Sequence, residues 1–145
     1  MSLFKHNFNS TAENVSAATC QAKEWLLGRN IDEICAGQVE LVLAEAANNI
    51  VEHAFEFAPN GKVELQIRFD GNHVRIRLTD NGKIFPGVPE KKEMQGDQVD
   101  FDRLPEGGFG WFLIHELSSS ITYTRQNDCN ILDLGVPIRA DASAA

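Results

Sequence analysis

The sequence predicts an α+β protein, a two-layer sandwich in which helices cover one face of a mixed, mostly antiparallel sheet. Three observations support this fold class. Apolar residues recur at helical spacing up to the Ala58–Gly61 turn, and beyond it their period changes to two. Two alternating segments flank a tight turn at 70–72, which predicts a β-hairpin. A short apolar helix and two further strands follow near the C-terminal end.

The elements before the Ala58–Gly61 turn are an edge strand and two helices. Residues 3–8 alternate weakly and predict the strand. Ser10 and Glu13 form a capping-box pattern, so we expect Ser10 to cap a first helix that ends at Gly28. The segment "NIDE" at 30–33 predicts the start of a longer second helix.

The elements after this turn are strands, one long loop and a short helix. The hairpin strands are predicted around 63–69 and 74–78, where apolar and polar residues alternate. Segment 81–108 contains three prolines and has no stable periodicity, and so long a loop inside a compact domain is usually functional. A helix is predicted from about Phe109 to Leu117, and the strands "SITYTR" and "NILDLGVP" follow it.

Composition and charge limit the possible classes of function. The chain has 145 residues, of which 43% are hydrophobic and 23% charged, as in one globular domain. We therefore expect a single domain over residues 1–138 and a disordered tail at 139–145. The net charge of -8 argues against a general nucleic-acid binder. Three cysteines without CxxC spacing, and no apolar run long enough for a signal peptide or membrane span, predict a cytoplasmic protein with reduced thiols.

The interior of the second helix carries polar residues in an unexpected place. On a helical wheel Glu45 and Asn49 lie one turn apart on one face, and Asn48 lies beside them. An amide oxygen suits Mg²⁺ held together with substrate phosphates, and a nearby carboxylate could deprotonate a hydroxyl. The alternative is a solvated polar face, although the stretch lacks Lys and Arg and asparagine is a poor helix former. This helix alone leaves both interpretations open.

Two glycine motifs follow the second helix along the chain. Asp80 ends a hairpin strand and Gly82 permits a close approach, although Asp-Asn-Gly is also a common turn signal. A second glycine-rich segment leads directly into the predicted short helix, where free N–H groups and the helix dipole favour phosphate. This segment comprises Gly107, Gly108, Phe109 and Gly110. Glycines also start helices without any ligand, so each motif by itself is modest evidence.

The order of these motifs resembles that of the Bergerat-fold ATP-binding domains, the GHKL superfamily of gyrase, chaperone, histidine kinase and mismatch-repair ATPases. More closely, the chain resembles the stand-alone bacterial anti-sigma factor serine/threonine-protein kinases. The likeness spans about residues 10–137. It is carried by the stretches "AEAANNIVEHAF", "DNGKIF" and "LPEGGFGWFLIHEL".

The resemblance implies a role for each matching residue. Glu45 would be the general base, and Asn49 would ligate a Mg²⁺ ion that bridges the ATP phosphates. Asp80 would accept a hydrogen bond from the adenine amino group, and Gly82 would let the base approach. Residues 86–106 would form a lid over the nucleotide. The phosphates would be lined by Gly107, Gly108, Phe109 and Gly110.

Some residues depart from the family pattern or fall outside it. Trp111 follows the glycines where a smaller aliphatic residue is usual, which would reshape the pocket edge. Lys83 and Arg103 are candidate phosphate neighbours. For each of them, a solvated position on the protein surface is at least as well supported. No residue of the last strand is assigned to the adenine.

The function implied by the resemblance is an ATP- and Mg²⁺-dependent serine/threonine protein kinase. Such a protein holds a sigma factor or an analogous regulator and phosphorylates a small antagonist protein on Ser or Thr. The family also implies a homodimer and no direct contact with nucleic acid or membrane. The alternative is a nucleotide-dependent binding module without phosphoryl transfer. The ATPase half of a histidine kinase is disfavoured, because none of the four scattered histidines suggests a substrate site.

Overall fold

A computed structural model of the chain describes residues 3–84 and 108–138. The helices there are α1 (Ala12–Leu27), α2 (Glu33–Asn49), a π-helical turn (Ile50–Ala54) and α3 (Gly108–Leu117). The strands are β1 (Leu3–Asn9), β2 (Lys62–Asp70), β3 (His73–Asp80), β4 (Ser120–Gln126) and β5 (Cys129–Pro137). The expected lid at 86–106, which includes Arg103, and the expected tail at 139–145 lie outside the described residues, as does Gly107.

The strands form one five-stranded sheet with the order β1-β2-β3-β5-β4. Every strand pairing within residues 3–84 and 108–138 is antiparallel. The hairpins β2–β3 and β4–β5 account for two of these pairings, because a tight turn can join only antiparallel neighbours. The pairing of β3 with β5 joins the two hairpins and brings the end of β3 beside the start of β5.

The helices pack on one face of this sheet, which confirms the predicted α+β class with two layers. Val63, Leu65 and Ile67 of β2 alternate with polar residues and are buried against the helices. The same alternation in β3 and β5 extends this apolar face across the sheet. Burial of each large apolar side chain contributes roughly 1.5–3 kcal/mol to stability. The opposite face carries charged pairs such as Arg77 with Asp133.

Helix α1 begins at a different cap from the one predicted. Thr11 is the N-cap, and its hydroxyl accepts a hydrogen bond from the Asn14 N–H at 3.1 Å. Ser10 is buried instead, donating to the Ala58 carbonyl at 2.5 Å and accepting from the Gly61 N–H at 2.9 Å. Ser10 therefore ties the start of α1 to the turn after α2. This contact spans about 50 residues of sequence, so a local capping pattern cannot reveal it.

Helix α2 begins near the predicted start and ends in an unpredicted way. The Asp32 carboxylate caps it by accepting a hydrogen bond from the Cys35 N–H at 2.7 Å. The α-helix stops at Asn49, and the chain continues as a π-helical turn before reversing through Glu56 and Phe57 at φ of 49° and 67°. Single π-helical turns are frequent at functional sites, and this one follows Asn49 directly.

Candidate functional site

The two adjacent asparagines of α2 differ in their exposure to solvent. Asn49 is buried, with 4% of its surface exposed, whereas Asn48 is exposed. Glu45 lies one turn before Asn49 and is half-buried. Glu45 and Asn49 thus share one face of α2, on the side where α3 packs.

The start of α3 packs directly against this pair. A Cβ atom added at Gly110 would lie 2.7 Å from Glu45 Oε2 and 3.3 Å from Asn49 Nδ2. Only glycine leaves this space open without displacing the carboxylate. Gly110 stands in the first turn of α3, where the helix dipole favours negative charge. The structure therefore joins the α2 pair to the glycine motif that lies about 60 residues later in the sequence.

The Asn49 amide has hydrogen-bonding capacity that the described residues do not use. Its Nδ2 atom is buried and has no hydrogen-bond partner among them. A half-turn of the amide exchanges nitrogen and oxygen, so the same position can present an acceptor. Leaving a buried polar group unpaired costs about 1–3 kcal/mol, which a bound ligand would relieve. An amide oxygen that lies beside a carboxylate and a helix start would be a suitable ligand for a Mg²⁺ ion that is also bound to phosphates.

Asp80 forms the second half of the site, at the end of β3. It is 2% exposed, and its Oδ1 accepts hydrogen bonds from the Gly82 N–H at 2.9 Å and from Asn130 Nδ2 at 2.8 Å. Its Oδ2 is buried and has no hydrogen-bond partner within the part of the chain that the structure describes. Burial raises the pKa of Asp80, while the bonds from Asn130 and Gly82 and the charge of Arg125 oppose this rise. Asp80 therefore holds one free acceptor oxygen in an apolar setting.

A small recess surrounds the free oxygen of Asp80. Its walls include Ile50 of the π-helical turn and Leu132 of β5, together with Tyr123 and Asn130. Among the described residues this recess encloses about 10 Å³, the space of roughly one water molecule, so a larger ligand would require its walls to move apart.

Gly82 lets the turn after β3 pack closely on the π-helical turn. A Cβ atom at Gly82 would lie 2.6 Å from the Ala54 carbonyl oxygen, and the same oxygen accepts a hydrogen bond from the Lys83 N–H at 3.0 Å. The Lys83 ammonium forms an ion pair with Glu56 at the surface. The backbone of Lys83 thus forms part of the wall of the site, whereas its side chain pairs with the exposed Glu56.

The β4–β5 hairpin contributes hydrogen-bonding residues to the site that were not predicted from the sequence, among them Asn130 and Arg125. Asn130 is buried and donates to Asp80. Arg125 donates to the Gly82 carbonyl at 2.8 Å and to Asn130 Oδ1 at 3.0 Å. The register of the β4–β5 hairpin places Arg125 opposite Asn130, and the turn between the two strands could have indicated this pairing. The pairing of Asn130 with Asp80 joins strands far apart in sequence, so periodicity gives no sign of it.

Trp111, which directly follows Gly110, packs into the core. Its side chain is 6% exposed and belongs to the main apolar cluster with Ile114 and residues of the sheet. Of the glycine-rich segment, Gly108 begins α3 and Gly110 faces the α2 pair. The side chain of Phe109 lies outside what the structure describes.

The sequence matches one protein-family model over residues 8–136, and that model is described as the histidine kinase-like ATPase domain. The chain belongs to this family. The match covers α1, α2, α3 and both hairpins, and therefore every described residue of the candidate site. Within the described residues, no helix is long and apolar enough to cross a membrane.

This histidine kinase-like ATPase domain is similar to curated bacterial regulators. It is 28% identical over 90 residues to the serine-protein kinase RsbW of Oceanobacillus iheyensis, covering 61% of this chain and 57% of the relative. It is 24% identical over 133 residues to the anti-sigma F factor of Anoxybacillus flavithermus, covering 88% of this chain and 86% of the relative. The matches to the RsbW relatives thus span little more than half of their length.

Solved structures share the fold of the histidine kinase-like ATPase domain. The RsbU and RsbW domains of Rv1364c from Mycobacterium tuberculosis match with a TM-score of 0.68 at 16% identity, covering 98% of this chain and 34% of that chain. The SiaB–SiaC complex from Pseudomonas aeruginosa matches with a TM-score of 0.58 at 13% identity, covering 92% of this chain and 88% of that chain.

Proposed function

We propose that this protein is an ATP- and Mg²⁺-dependent serine/threonine protein kinase of a partner-switching pathway. It would hold a sigma factor or an analogous regulator and phosphorylate a small antagonist protein on Ser or Thr. The observation that carries the proposal is the position of Glu45 and Asn49 against Gly110 at the start of α3. A carboxylate, an amide and a helix start meet there, which is a suitable environment for transfer of a phosphoryl group.

The adenine end of the site supports ATP as the phosphoryl donor. Asp80 offers the unpaired Oδ2 as an acceptor, and Ile50 and Leu132 supply apolar walls. The 6-amino group of adenine can donate to such an oxygen. Guanine carries a carbonyl oxygen at that position and would meet Asp80 with two acceptors facing each other.

The phosphate end supports Mg²⁺ and phosphate binding. Asn49 would supply the single protein ligand, because Mg²⁺ commonly binds through few protein groups together with waters and phosphate oxygens. The N–H groups at the start of α3 would contact the phosphates through Gly108 and Gly110. Bound Mg²⁺ would neutralise negative charge on the phosphates.

Glu45 is the proposed general base. Its carboxylate accepts the proton of the substrate Ser or Thr hydroxyl while the hydroxyl oxygen forms a bond to the γ-phosphorus. The bond from that phosphorus to the β–γ bridging oxygen breaks, and ADP leaves with the electron pair. The close packing of Gly110 keeps the carboxylate at the start of α3, where the phosphates are expected.

The protein partners are proposed from the relatives. The serine-protein kinase and anti-sigma F factor names belong to proteins that share 24–28% identity with this chain. A small antagonist and a sigma factor or analogous regulator are therefore the partners to test, with a homodimer as the expected assembly. The second candidate function is a nucleotide-dependent binding module that uses Asp80 but transfers no phosphate, as the buried and hydrogen-bonded Asp80 would permit.

The decisive experiment is a phosphate-transfer assay with Mg-ATP and candidate antagonist proteins encoded near the gene. Wild type should phosphorylate one of them on Ser or Thr. Glu45→Gln should lower transfer by about 10²- to 10⁴-fold, since a general base contributes that much, while ADP affinity stays close to wild type. The matched control is Glu40→Gln, which removes a surface carboxylate of α2 paired with Lys23 and should leave transfer unchanged.

Three outcomes separate the candidate functions. Transfer by wild type that depends on Glu45 supports the kinase. Nucleotide binding without transfer to any antagonist supports the binding module instead. Equal activity of Glu45→Gln and wild type would show that another group acts as the base.

A further inference from the structure

The β4–β5 hairpin holds the turn that follows β3 through a connected set of hydrogen bonds. We call Tyr123, Arg125 and Asn130 the hairpin clamp. Asn130 Nδ2 donates to Asp80 Oδ1 and to the Lys83 carbonyl, both at 2.8 Å. Arg125 adds a bond of 2.8 Å to the Gly82 carbonyl. The clamp therefore contacts three of the four residues from Asp80 to Lys83.

The Asn130 amide has a single orientation that satisfies its neighbours. Its oxygen accepts from the Tyr123 hydroxyl at 2.6 Å and from Arg125 at 3.0 Å. Both of these groups can donate to it, so the amide nitrogen must face Asp80 and the Lys83 carbonyl. A flipped amide would place its oxygen against two acceptors inside a buried site, which is strongly unfavourable.

This fixed amide determines which oxygen of Asp80 remains available. Oδ1 receives the Gly82 N–H and the Asn130 amide, and Oδ2 receives no hydrogen bond from residues 3–84 or 108–138. The Asn130 bond and the Arg125 charge also lower the pKa of Asp80 against the effect of burial, which favours the ionised acceptor. Without the clamp, the carboxylate could rotate or take up a proton, and its free oxygen would no longer be a defined acceptor.

We propose that Asn130 and Arg125 are positioning residues for nucleobase specificity, holding Asp80 so that Oδ2 accepts the 6-amino group of adenine. Arg125 acts through Asn130 and through the Gly82 carbonyl, without touching the base. The proposal rests on the adenine site of the proposed function and extends it to residues of a different hairpin. It also assigns a function to β5 that the sequence did not indicate.

The test compares two ligands that differ only in the 6-amino group. ADP and purine riboside 5′-diphosphate, which lacks that group, are titrated with Mg²⁺ by calorimetry into the full chain. Wild type should prefer ADP by about tenfold or more, because the analogue leaves Asp80 Oδ2 unpaired. Asn130→Leu keeps a similar side-chain volume and should weaken ADP binding about tenfold while leaving the analogue nearly unchanged.

The ratio of the ADP affinity to the affinity for the analogue distinguishes a positioning role of Asn130 from a role in the stability of the protein. A merely structural role for Asn130 would weaken both ligands equally and keep the preference for ADP. If Asn130→Leu does not fold, Arg125→Met decides the question in the same way, since Arg125 lies on the edge strand and is only partly buried. Arg125→Lys should restore part of the preference, because it keeps a positively charged donor.

The matched control is Arg77→Met, which removes an arginine bonded to Asp133 on the open face of the sheet. This control should keep the wild-type preference. A full preference for ADP in Asn130→Leu or Arg125→Met would overturn the positioning role and leave the proposed kinase intact. Failure of wild type to bind ADP at all would instead overturn the adenine site on which both proposals rest.

Discussion

At the adenine end of the site, hydrogen bonds from the turn after β3 and from the β4–β5 hairpin fix the Asp80 carboxylate, and its Oδ2 lacks a partner among the described residues. At the phosphate end, Gly110 packs so closely on Glu45 and Asn49 that an added Cβ atom would lie 2.7 Å from Glu45 Oε2. The first arrangement suits recognition of one small, flat group with a defined donor. The second brings a carboxylate and an amide to a helix start, which suits a charged ligand. Substitutions at the adenine end should therefore change ligand selectivity, and substitutions at the phosphate end should change turnover.

The largest effect is expected for Asn49→Ala at the phosphate end. Loss of the only proposed protein ligand of Mg²⁺ should reduce phosphoryl transfer by about a hundredfold or more, as for other preorganised groups that stabilise charge. The preference for ADP over its 6-deamino analogue should persist, because Asp80 is unchanged. Transfer and affinity are measured with a series of Mg²⁺ concentrations.

Asn48→Ala is the matched control for this substitution. Asn48 is the adjacent residue on α2 and is exposed, so its removal should change transfer by less than about twofold. Equal losses in the two variants would contradict the assignment of the metal to Asn49.

A smaller effect is expected for Gly110→Ala. The new Cβ would lie 2.7 Å from Glu45 Oε2 and would displace the proposed base. Because a misplacement of this size can cost about a hundredfold in rate, transfer should fall by about ten- to a hundredfold with little change in base selectivity. Single-turnover kinetics with saturating ATP measures the transfer step directly.

Gly37→Ala provides the comparison for a glycine in a helix without a close neighbour. Gly37 lies within α2, and nothing lies within 4 Å of its added Cβ. This variant should keep full transfer and gain up to about 1 kcal/mol in the free energy of unfolding. Equal loss of transfer at both glycines would indicate a general effect on α2 and not a local displacement of Glu45.

The smallest effect concerns stability at the adenine end. Because burial raises the pKa of Asp80 in the folded protein, the ionised carboxylate disfavours folding at neutral pH. Asp80→Asn should therefore raise the free energy of unfolding of the nucleotide-free protein on the order of 1 kcal/mol while abolishing ADP binding. Thermal melts with and without Mg-ADP measure both quantities.

The pH dependence of this gain gives a further check. As pH falls through the raised pKa of folded Asp80 toward the ordinary value, wild type becomes protonated and the unfavourable contribution disappears. The stability difference between Asp80→Asn and wild type should shrink over this range. A difference that stays constant with pH would show that the pKa of Asp80 is the same in the folded and the unfolded protein.

Much of the fold could be predicted because its signals are local. The hairpin β2–β3 shows a strict alternation of apolar residues around a short turn, and the structure confirms it as Lys62–Asp70 and His73–Asp80. The start of α2 was equally visible, since Asp32 caps it within the "NIDE" segment. The predicted cap of α1 was wrong because Ser10 has partners about 50 residues away. The π-helical turn after Asn49 was not predicted, because it leaves no periodic signal.

The sequence by itself indicated which residues could contact a ligand, and the family resemblance supplied the roles predicted for them. Helical phase placed Glu45 and Asn49 on one face, and the glycines near Asp80 and α3 indicated where backbone could approach a ligand closely. These are properties of neighbouring residues, which covalent geometry and periodicity constrain directly. The sequence therefore predicted the types of the site residues and their order along the chain before any tertiary contact was known.

Only the tertiary structure decided how these residues are held. It buried Asn49 and left Asn48 outside, placed Gly110 against Glu45, and paired β3 with β5 so that Asn130 meets Asp80. Contacts between strands far apart in sequence depend on the packing of the whole sheet, for which a single sequence carries no local pattern. The hydrogen-bonded clamp at Asp80 belongs to this second class, because three strands must meet before it can form.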